Sequence, residues 1–339
     1  FGFMNIAIVG ATGNVGRKII EILEKKQINI ENLFLLASKN SEGKKINYNG
    51  KEHTVTNLEK FDFSSVKIAF LAAGSGVAEK WAHVAAETTI VIDNSKYFRK
   101  DPDIPLIVPE VNSKKLSDVK NKNIIANANC SVIPVVVALK PLHDLYNINR
   151  IVASTYQSVS GAGKSAMDEL LSQTEDYFQN KEIDSKNFTK QIAFNAIPHI
   201  DSFLENGYTK EEQKTTDEIK KILDKKIKVT STCVRIPVLV SHCISANVEF
   251  NKKCDLDEIR KVLSTSPGCK VIDEHQDGGY ITPVEAEDKF ETFISRIRLD
   301  ESRENTINLW IVSDNLVKGA ALNAVQIAES LITNDFYGR

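Results

Sequence analysis

No apolar run in this 339-residue chain approaches the length of a membrane span; the longest, starting at Val132, breaks at Lys140. No basic stretch followed by an apolar one marks a secretory leader. An excess of one charge is missing as well. The 43 Lys and Arg against 45 Asp and Glu leave a net charge of -2, which argues against nucleic acid as the main partner. Cysteines stand only at 130, 233, 243, 254 and 269, with no CxxC pair, and there are six histidines. No zinc-ligand spacing results, and no metal is expected. An odd, unpatterned set of thiols fits a reducing, cytoplasmic compartment. Internal repeats and low-complexity tracts are absent. Phe1, Gly2 and Phe3, ahead of Met4, read as an appended remnant and are set aside.

What is present is the composition of an ordinary globular protein, 42% hydrophobic and 26% charged, and too long for one hydrophobic core. Two domains are expected. Residues 5–9 form a short apolar strand that runs into Gly10-Ala-Thr-Gly13-Asn-Val-Gly16. A helix follows through Lys26, with Ile19, Ile20 and Leu23 on one face. Strand, glycine turn and helix are the context in which this glycine spacing indicates dinucleotide binding; a purely structural tight turn is the alternative.

The second strand, residues 33–37, ends at Ser38-Lys39-Asn40-Ser41. This is where such a fold reads the adenosine ribose. Hydroxyls with a cation suit a 2′-phosphate, whereas an acidic residue would suit NAD; a plain polar loop remains open. A hairpin at residues 46–55 turns on Asn49-Gly50, the signature of a type I′ turn. Strands at 67–73, 89–93, 104–108 and 123–127, with a helix at 77–87, complete a mostly parallel sheet.

The strand at 123–127 leads to Ala128-Asn129-Cys130-Ser131 and then to an apolar helix over 132–146. Cys130 at a helix N-terminus faces unpaired N–H groups and the positive end of the helix dipole, which favours the nucleophilic thiolate. A small, buried, inert cysteine is the competing reading. Beyond it the pattern changes. A β-prone run at 150–159 ends in Ser160-Gly161-Ala162-Gly163-Lys164, a helix covers 164–179, and 180–190 is polar loop. A charged helix at 209–224 precedes long β-prone runs at 227–236, 238–250, 292–299 and 306–312. Long strands with few helices between them indicate a mixed or antiparallel sheet. The fold class is therefore α/β, a Rossmann-like nucleotide-binding domain with a second α+β catalytic and dimerisation domain containing a mixed sheet. The expected boundaries are residues 4–130, completed by a C-terminal helix at about 317–336, and residues 131–316.

Several motifs fall into one order: Gly10 to Gly16; Asp93-Asn-Ser-Lys-Tyr-Phe-Arg99; Val108-Pro-Glu-Val-Asn112; and Asn129-Cys130-Ser131. They continue with Tyr156-Gln157 through Lys164, Arg235 through His242, and Asp314-Asn-Leu-Val-Lys-Gly-Ala-Ala-Leu-Asn323. Together they resemble aspartate-semialdehyde dehydrogenase of the bacterial type, from Met4 almost to the C-terminus. The resemblance implies that NADPH reductively dephosphorylates L-aspartyl 4-phosphate to aspartate 4-semialdehyde, NADP and phosphate, on the route to lysine, threonine and methionine. It implies Cys130 as nucleophile, Gln157 as its positioning partner and His242 as acid/base. It assigns Arg235 to the substrate carboxylate, Glu211 to its amino group, and Arg99 and Lys214 to phosphate, with Asn129 beside them. For the cofactor it implies Gly10, Thr12, Gly13, Asn14, Val15, Ser38, Ser41, Ala73, Gly74, Asn94, Ser160, Gly161, Gly163 and Asn323. A homodimer built on the second domain is implied too. Where the family carries Arg in the ribose-reading stretch, this chain has Asn40; Ala128 and Val132 replace the usual Pro and Thr around Asn-Cys-Ser.

The chemistry requires a thiolate to attack the acyl phosphate and expel phosphate, leaving a thioester that hydride reduces. Cys130 at the end of the nucleotide domain suits that meeting, and an adjacent imidazolium would help it ionise. Taken alone, His242 and Gln157 read as satisfied strand residues, Arg99 as a surface charge, and Glu211 with Lys214 as a solvated ion pair. Arg235 and His242 are seven apart, so one straight strand would put them on opposite faces unless Pro237 breaks it. Three other readings compete. Ser165 with Tyr177-x-x-x-Lys181 imitates the short-chain dehydrogenases, although Tyr177 lies on a face read as core packing. N-acetylglutamyl-phosphate reductase shares the chemistry, but its acylated substrate would leave Glu211 without a role. A non-catalytic NADP-binding regulator needs no nucleophile.

Overall fold

The computed structural model describes residues 4–334. It contains two compact units: the residues up to Ala128 with those from Ala320 onward, and Asn129 to Gly319. Among the described residues no helix is long and apolar enough to cross a membrane.

In the first unit, β1 (Met4–Val9) is followed by α1 (Asn14–Lys25), β2 (Ile30–Ala37), the hairpin β3 (Lys45–Tyr48) and β4 (Lys51–Thr54), and the short β5 (Thr56–Asn57). Asn49 and Gly50 at the hairpin tip both have positive φ, 50° and 71°, as a type I′ turn requires. Then come β6 (Ile68–Leu71), α2 (Ser75–Ala86), β7 (Ile90–Asp93), β8 (Leu106–Ile107), the one-turn α3 (Pro109–Asn112) and β9 (Ile124–Asn127). The main sheet has the order β5-β2-β1-β6-β7-β9-β8, and every pairing in it is parallel. Its central strands are buried along their length, which is why they read as apolar runs without alternation. The chain runs outward from β1 to β2 and then returns to β6 on the other side of β1, so a topological switch point lies between β1 and β6. The C-terminal helix Leu322–Thr333 completes this unit after one wide, π-type turn at Val317–Ala321. Residues 335–336 of the expected helix, and Phe1–Phe3, lie outside the described residues.

In the second unit, α4 (Val132–Tyr146) leads into β10 (Ile148–Gln157), α5 (Lys164–Phe178), α6 (Lys210–Ile222), β11 (Lys228–Arg235) and β12 (His242–Phe250). The chain continues with α7 (Leu256–Thr265), β13 (Cys269–Val271), the one-turn α8 (Pro283–Ala286), β14 (Thr292–Leu299) and β15 (Thr306–Ser313). The six-stranded sheet has the order β11-β10-β12-β15-β14-β13. It is mixed: β10 with β11 and β13 with β14 are parallel, and the remaining pairs are antiparallel. Along β10 the row Ile151, Ala153, Thr155, Gln157 is buried, and the alternate row Val152, Ser154, Tyr156 is half-exposed on the other face.

The units divide two residues before the expected 130/131 and three residues after the expected 316/317: Asn129 and Cys130, and the residues through Gly319, belong to the second unit. The cause is local, since Asn129 is held by two carboxylates of α6. The expected run at 238–250 is also corrected. β12 starts only at His242, after a connection in which Ser241 has φ +78°. Two elements in the polar stretch 255–271, α7 and β13, were not anticipated.

Candidate active site

Three strands bring the polar residues of the second unit into one row. Gln157 ends β10 and pairs in register with Arg235, which ends β11. On the other side Tyr156 pairs with Cys243, so the next position sets Gln157 opposite His242. Residues 236–241 cross over the end of β10, tied by Ile236 N–H to the Gln157 carbonyl at 3.0 Å and by Val159 N–H to the Val238 carbonyl at 2.9 Å. Arg235 and His242 thus sit on different strands flanking β10, and a seven-residue spacing no longer separates their faces. All three side chains are buried.

Cys130 faces this row. Its Sγ lies 3.2 Å from His242 Nε2. The turn that presents it is tightly held. Asn129 donates its backbone N–H to Glu218 Oε2 at 2.7 Å and its side-chain amide to Glu211 Oε1 at 3.0 Å. Asn129 Oδ1 accepts from the N–H and hydroxyl of Ser131, both at 2.8 Å. The Asn129 carbonyl takes the N–H groups of Val132 and Ile133, starting α4. Gly319 packs on the other side: a Cβ there would come within 3.1 Å of the Cys130 Cβ and carbonyl oxygen.

Gln157 is oriented at both ends. Its carbonyl oxygen accepts from the Thr155 hydroxyl at 2.9 Å, and its amide donates to Glu211 Oε1 at 3.3 Å. Glu211 and Lys214 are not a solvated pair. Their 2.6 Å contact is largely buried, and Asp201 completes it at 3.0 Å from the Lys214 ammonium. Burial alone would raise the Glu211 pKa. Lys214 and the amides of Asn129 and Gln157 overcome it and hold the carboxyl below its ordinary value. Burial likewise opposes the charge on Lys214, but Glu211 and Asp201 raise its pKa overall. The reason these residues misread as surface is tertiary: α6 lies against the start of α4 and β11 and turns this helical face inward.

Arg235 donates from Nη1 to the Ser158 carbonyl at 2.7 Å. Gly161 stands beside it, where a Cβ would lie 3.1 Å from Arg235 Nη1 and 3.2 Å from His242 Nε2. Complete burial and the Arg235 charge push the His242 pKa down to about 3; Glu211 and the Ser241 backbone oppose this less strongly. Burial and Arg235 thus favour the neutral imidazole beside Cys130 over the imidazolium that would help the thiol ionise.

In the first unit a cavity of about 680 Å³ opens at the switch point. Gly10, Thr12, Gly13, Ser38 and Ala73 line it, together with Lys39, Asn40, Glu59, Lys80 and Trp81. The glycines are required by space. Gly10 has φ +85° and a Cβ there would lie 2.4 Å from the Ala72 carbonyl oxygen, while at Gly16 it would meet the Gly10 oxygen at 2.1 Å. This close approach of β1 to the segment after β6 leaves α1 with its N-terminus open to an anion. Asn14, Val15, Ser41 and Gly74 border this region without lining the cavity. Asn94 and Asn323 are engaged elsewhere: Asn94 donates to the Leu71 carbonyl and accepts from Asn127, and Asn323 donates to the Ile107 carbonyl and to Asn127. Arg99, also in this unit, donates to the carbonyls of Asn127 and Asn94 at 2.8 and 3.1 Å. Ser160, Gly161 and Gly163 belong to the second unit, and the Ser160 hydroxyl is buried against Asn315.

The short-chain dehydrogenase reading fails. α5 ends at Phe178, so Lys181 does not follow Tyr177 on a helix. Ser165 lies on that same helix, twelve residues and about 18 Å of rise before Tyr177. The face read as core is exposed at Leu171, Tyr177 and Phe178; Tyr177 packs its ring on Phe194 at 4.8 Å. Among the described residues no cluster could hold a metal.

A parallel switch-point sheet, with a cysteine–histidine pair at the head of a mixed sheet, defines a nicotinamide-dependent semialdehyde dehydrogenase. Family models agree: residues 5–119 match the semialdehyde dehydrogenase NAD binding domain and residues 139–318 its dimerisation domain. Aspartate-semialdehyde dehydrogenase of Aquifex aeolicus is 49% identical over 96% of this chain and 97% of its own length. That of Rickettsia bellii is 48% identical over 97% of each. The crystal structure of aspartate semialdehyde dehydrogenase II from Vibrio cholerae, complexed with ASA, superposes with a TM-score of 0.97 at 46% identity, covering 99% of this chain and 100% of that one. The chain belongs to the aspartate-semialdehyde dehydrogenase family and is an oxidoreductase.

Proposed function

We propose that this enzyme converts L-aspartyl 4-phosphate to L-aspartate 4-semialdehyde with NADPH, through a thioacyl intermediate on Cys130, in the biosynthesis of lysine, threonine and methionine. The observation that carries this reading is the 3.2 Å contact of Cys130 Sγ with His242 Nε2, set beside buried Gln157, Arg235 and Glu211. Cys130 attacks the acyl carbon and phosphate leaves, giving a thioester. Reduced nicotinamide, when bound, supplies the hydride that takes the thioester to the aldehyde level. His242 faces the sulfur and serves as the acid/base at the reacting oxygen, and Gln157 fixes the acyl group. Arg235 offers a guanidinium fork to the α-carboxylate. Glu211 accepts the α-ammonium, a role that an N-acylated substrate would leave empty. Asn129 fixes the nucleophile turn, and Lys214 and Arg99 supply positive charge for phosphate. The five free thiols fit a cytoplasmic enzyme.

NADP is favoured over NAD because the cavity wall carries the Ser38 hydroxyl with Lys39 and Lys80, two cations in place of the arginine absent at Asn40. Within the cofactor set, Gly10, Thr12, Gly13, Ser38 and Ala73 form the cavity wall. Asn14, Val15, Ser41 and Gly74 border it, Asn94 and Asn323 are hydrogen-bonded to Asn127, and Ser160, Gly161 and Gly163 belong to the loop that follows β10. The test is reduced-cofactor absorbance with aspartate semialdehyde and phosphate. Signal is expected with NADP and much less with NAD; silence with both defeats the reading. In a Lys39→Ala/Lys80→Ala variant the NADP preference should fall by about 10-fold or more, a loss of roughly 1.5 to 3 kcal/mol in charge-assisted bonds. A preference that does not move would remove these lysines from the assignment.

The half-exposed sheet face carrying Val152, Ser154, Tyr156 and Trp310 is the surface for a homodimer. Sedimentation should give a dimer, and Ser154→Arg, in the middle of that face, should give monomers. A wild-type monomer at micromolar concentration would refute this.

A further inference from the structure

Behind His242 lies a buried network that the reaction as described does not use. Asn315 follows β15 and is 2% exposed. Its Oδ1 accepts the Ser241 N–H at 2.8 Å and lies 3.2 and 3.1 Å from the hydroxyls of Ser158 and Ser160. Its amide donates to the Ser160 hydroxyl at 2.9 Å. Two consequences reach His242. Ser241, immediately before it, is fully buried at φ +78°, a conformation that strains a residue with a side chain. The bond to Asn315 is the one that its N–H makes in this conformation. On the other side, Ser158 gives its backbone N–H to His242 Nδ1 at 3.0 Å, with its hydroxyl 3.1 Å from the same nitrogen.

A backbone N–H can only donate. Nδ1 therefore presents its lone pair, and the ring proton of a neutral imidazole sits on Nε2. Nε2 is the atom facing the Cys130 sulfur. A base that removed the thiol proton through Nε2 would need the opposite tautomer, with an Nδ1–H directed at the Ser158 N–H.

We propose that Asn315 is a positioning residue that holds His242 as the neutral Nε2–H tautomer, so that in the resting enzyme His242 meets Cys130 as a hydrogen-bond donor and not as the base for its proton. The Nε2–H stabilises the thiolate, whose proton has left to solvent. The same N–H is in place to donate to an oxyanion on the acyl carbon. This rests on the proposed cysteine chemistry, but its test needs no turnover.

The test is two-bond ¹H–¹⁵N correlation on histidine-labelled enzyme without substrate, with His242→Gln identifying the His242 signals. Wild type should show a protonated Nε2 and an unprotonated Nδ1 near neutral pH. Asn315→Ala should show a mixture of tautomers, and alkylation of Cys130 by iodoacetamide should require higher pH. Ser158→Ala should keep the wild-type tautomer, because the backbone N–H remains. In turnover, Asn315→Ala should lower kcat about 10²-fold with little change in KM, as expected of a misplaced reacting group. A wild-type spectrum with the proton on Nδ1 overturns the proposal, as does an Asn315→Ala spectrum and alkylation profile matching wild type. If Asn315→Ala does not fold, Asn315→Leu, which removes the acceptor for Ser241 at similar volume, is read in the same way. An enzyme inactive toward aspartyl phosphate but showing the Nε2–H pattern would reject the substrate assignment and leave this inference standing.

Discussion

Cys130→Ala should reduce turnover by about 10⁴-fold or more, the scale on which loss of a covalent nucleophile acts. No other group can take its place. The remaining thiols are elsewhere in the chain, and burial pushes Cys233 and Cys243 up to about 12, so neither is a nucleophile at neutral pH. His242 is uncharged and faces the sulfur, and without the sulfur it has nothing to assist. The variant should fold normally. The Asn129 turn is held by Glu211, Glu218 and Ser131 through atoms that the substitution leaves alone. Removing one half-buried sulfur should cost no more than about 1 kcal/mol. Thermal unfolding checks that, and intact-protein mass spectrometry checks the chemistry. Wild type mixed with aspartyl phosphate and no cofactor should gain the mass of one aspartyl group, and Cys130→Ala should not. Activity within tenfold of wild type, or acylation of the variant, would end the cysteine mechanism.

The sequence showed the first unit more fully than the second because the two sheets code differently. β6, β7 and β9 are buried on both faces, so each appears as a bare apolar run between glycine or Asn-Ser ends. The Gly10–Gly16 run, with no room for a Cβ at Gly10 or Gly16, is a local signal with a local cause. In the second unit the strands were found, but their relation was not. Whether Arg235 and His242 shared a strand depended on Ser241 turning to φ +78°, and a serine does not announce that. The carboxylates of α6 were hardest. Glu211 and Lys214 have the spacing of any exposed helical pair, and Glu218 attracted no notice. Only packing makes them a clamp on Asn129. Asn315 was visible within the motif from Asp314 to Asn323, yet its contacts span 157 positions of sequence to Ser158. α7 had a readable signal that passed unused: Asp255 caps it, and Ile259 and Leu263 form its buried stripe.

Arg235→Leu should lower kcat/KM by about 10²- to 10³-fold, equivalent to the 2–5 kcal/mol lost when one partner of a buried, hydrogen-bonded charge pair is truncated. Burial weakens the charged state of Arg235, while Glu211 and the Cys130 sulfur support it. The guanidinium is thus held at some cost among buried polar side chains, which is where a bidentate carboxylate contact is strong. Arg235→Lys keeps the charge but loses the planar fork, so it should recover only part of the rate. The substrate series separates binding from general damage. Wild type should strongly prefer aspartate semialdehyde over 3-aminopropanal, which lacks the α-carboxylate, and Arg235→Leu should lose most of that preference. A second effect follows from charge. Arg235 helps hold His242 down at about 3, so its removal should raise that pKa. Protonation of His242 then begins at higher pH in the variant, and the acid limb of its rate profile should move upward. A variant that keeps the wild-type preference for the carboxylate-bearing aldehyde, with an unmoved acid limb, would take both roles away from Arg235.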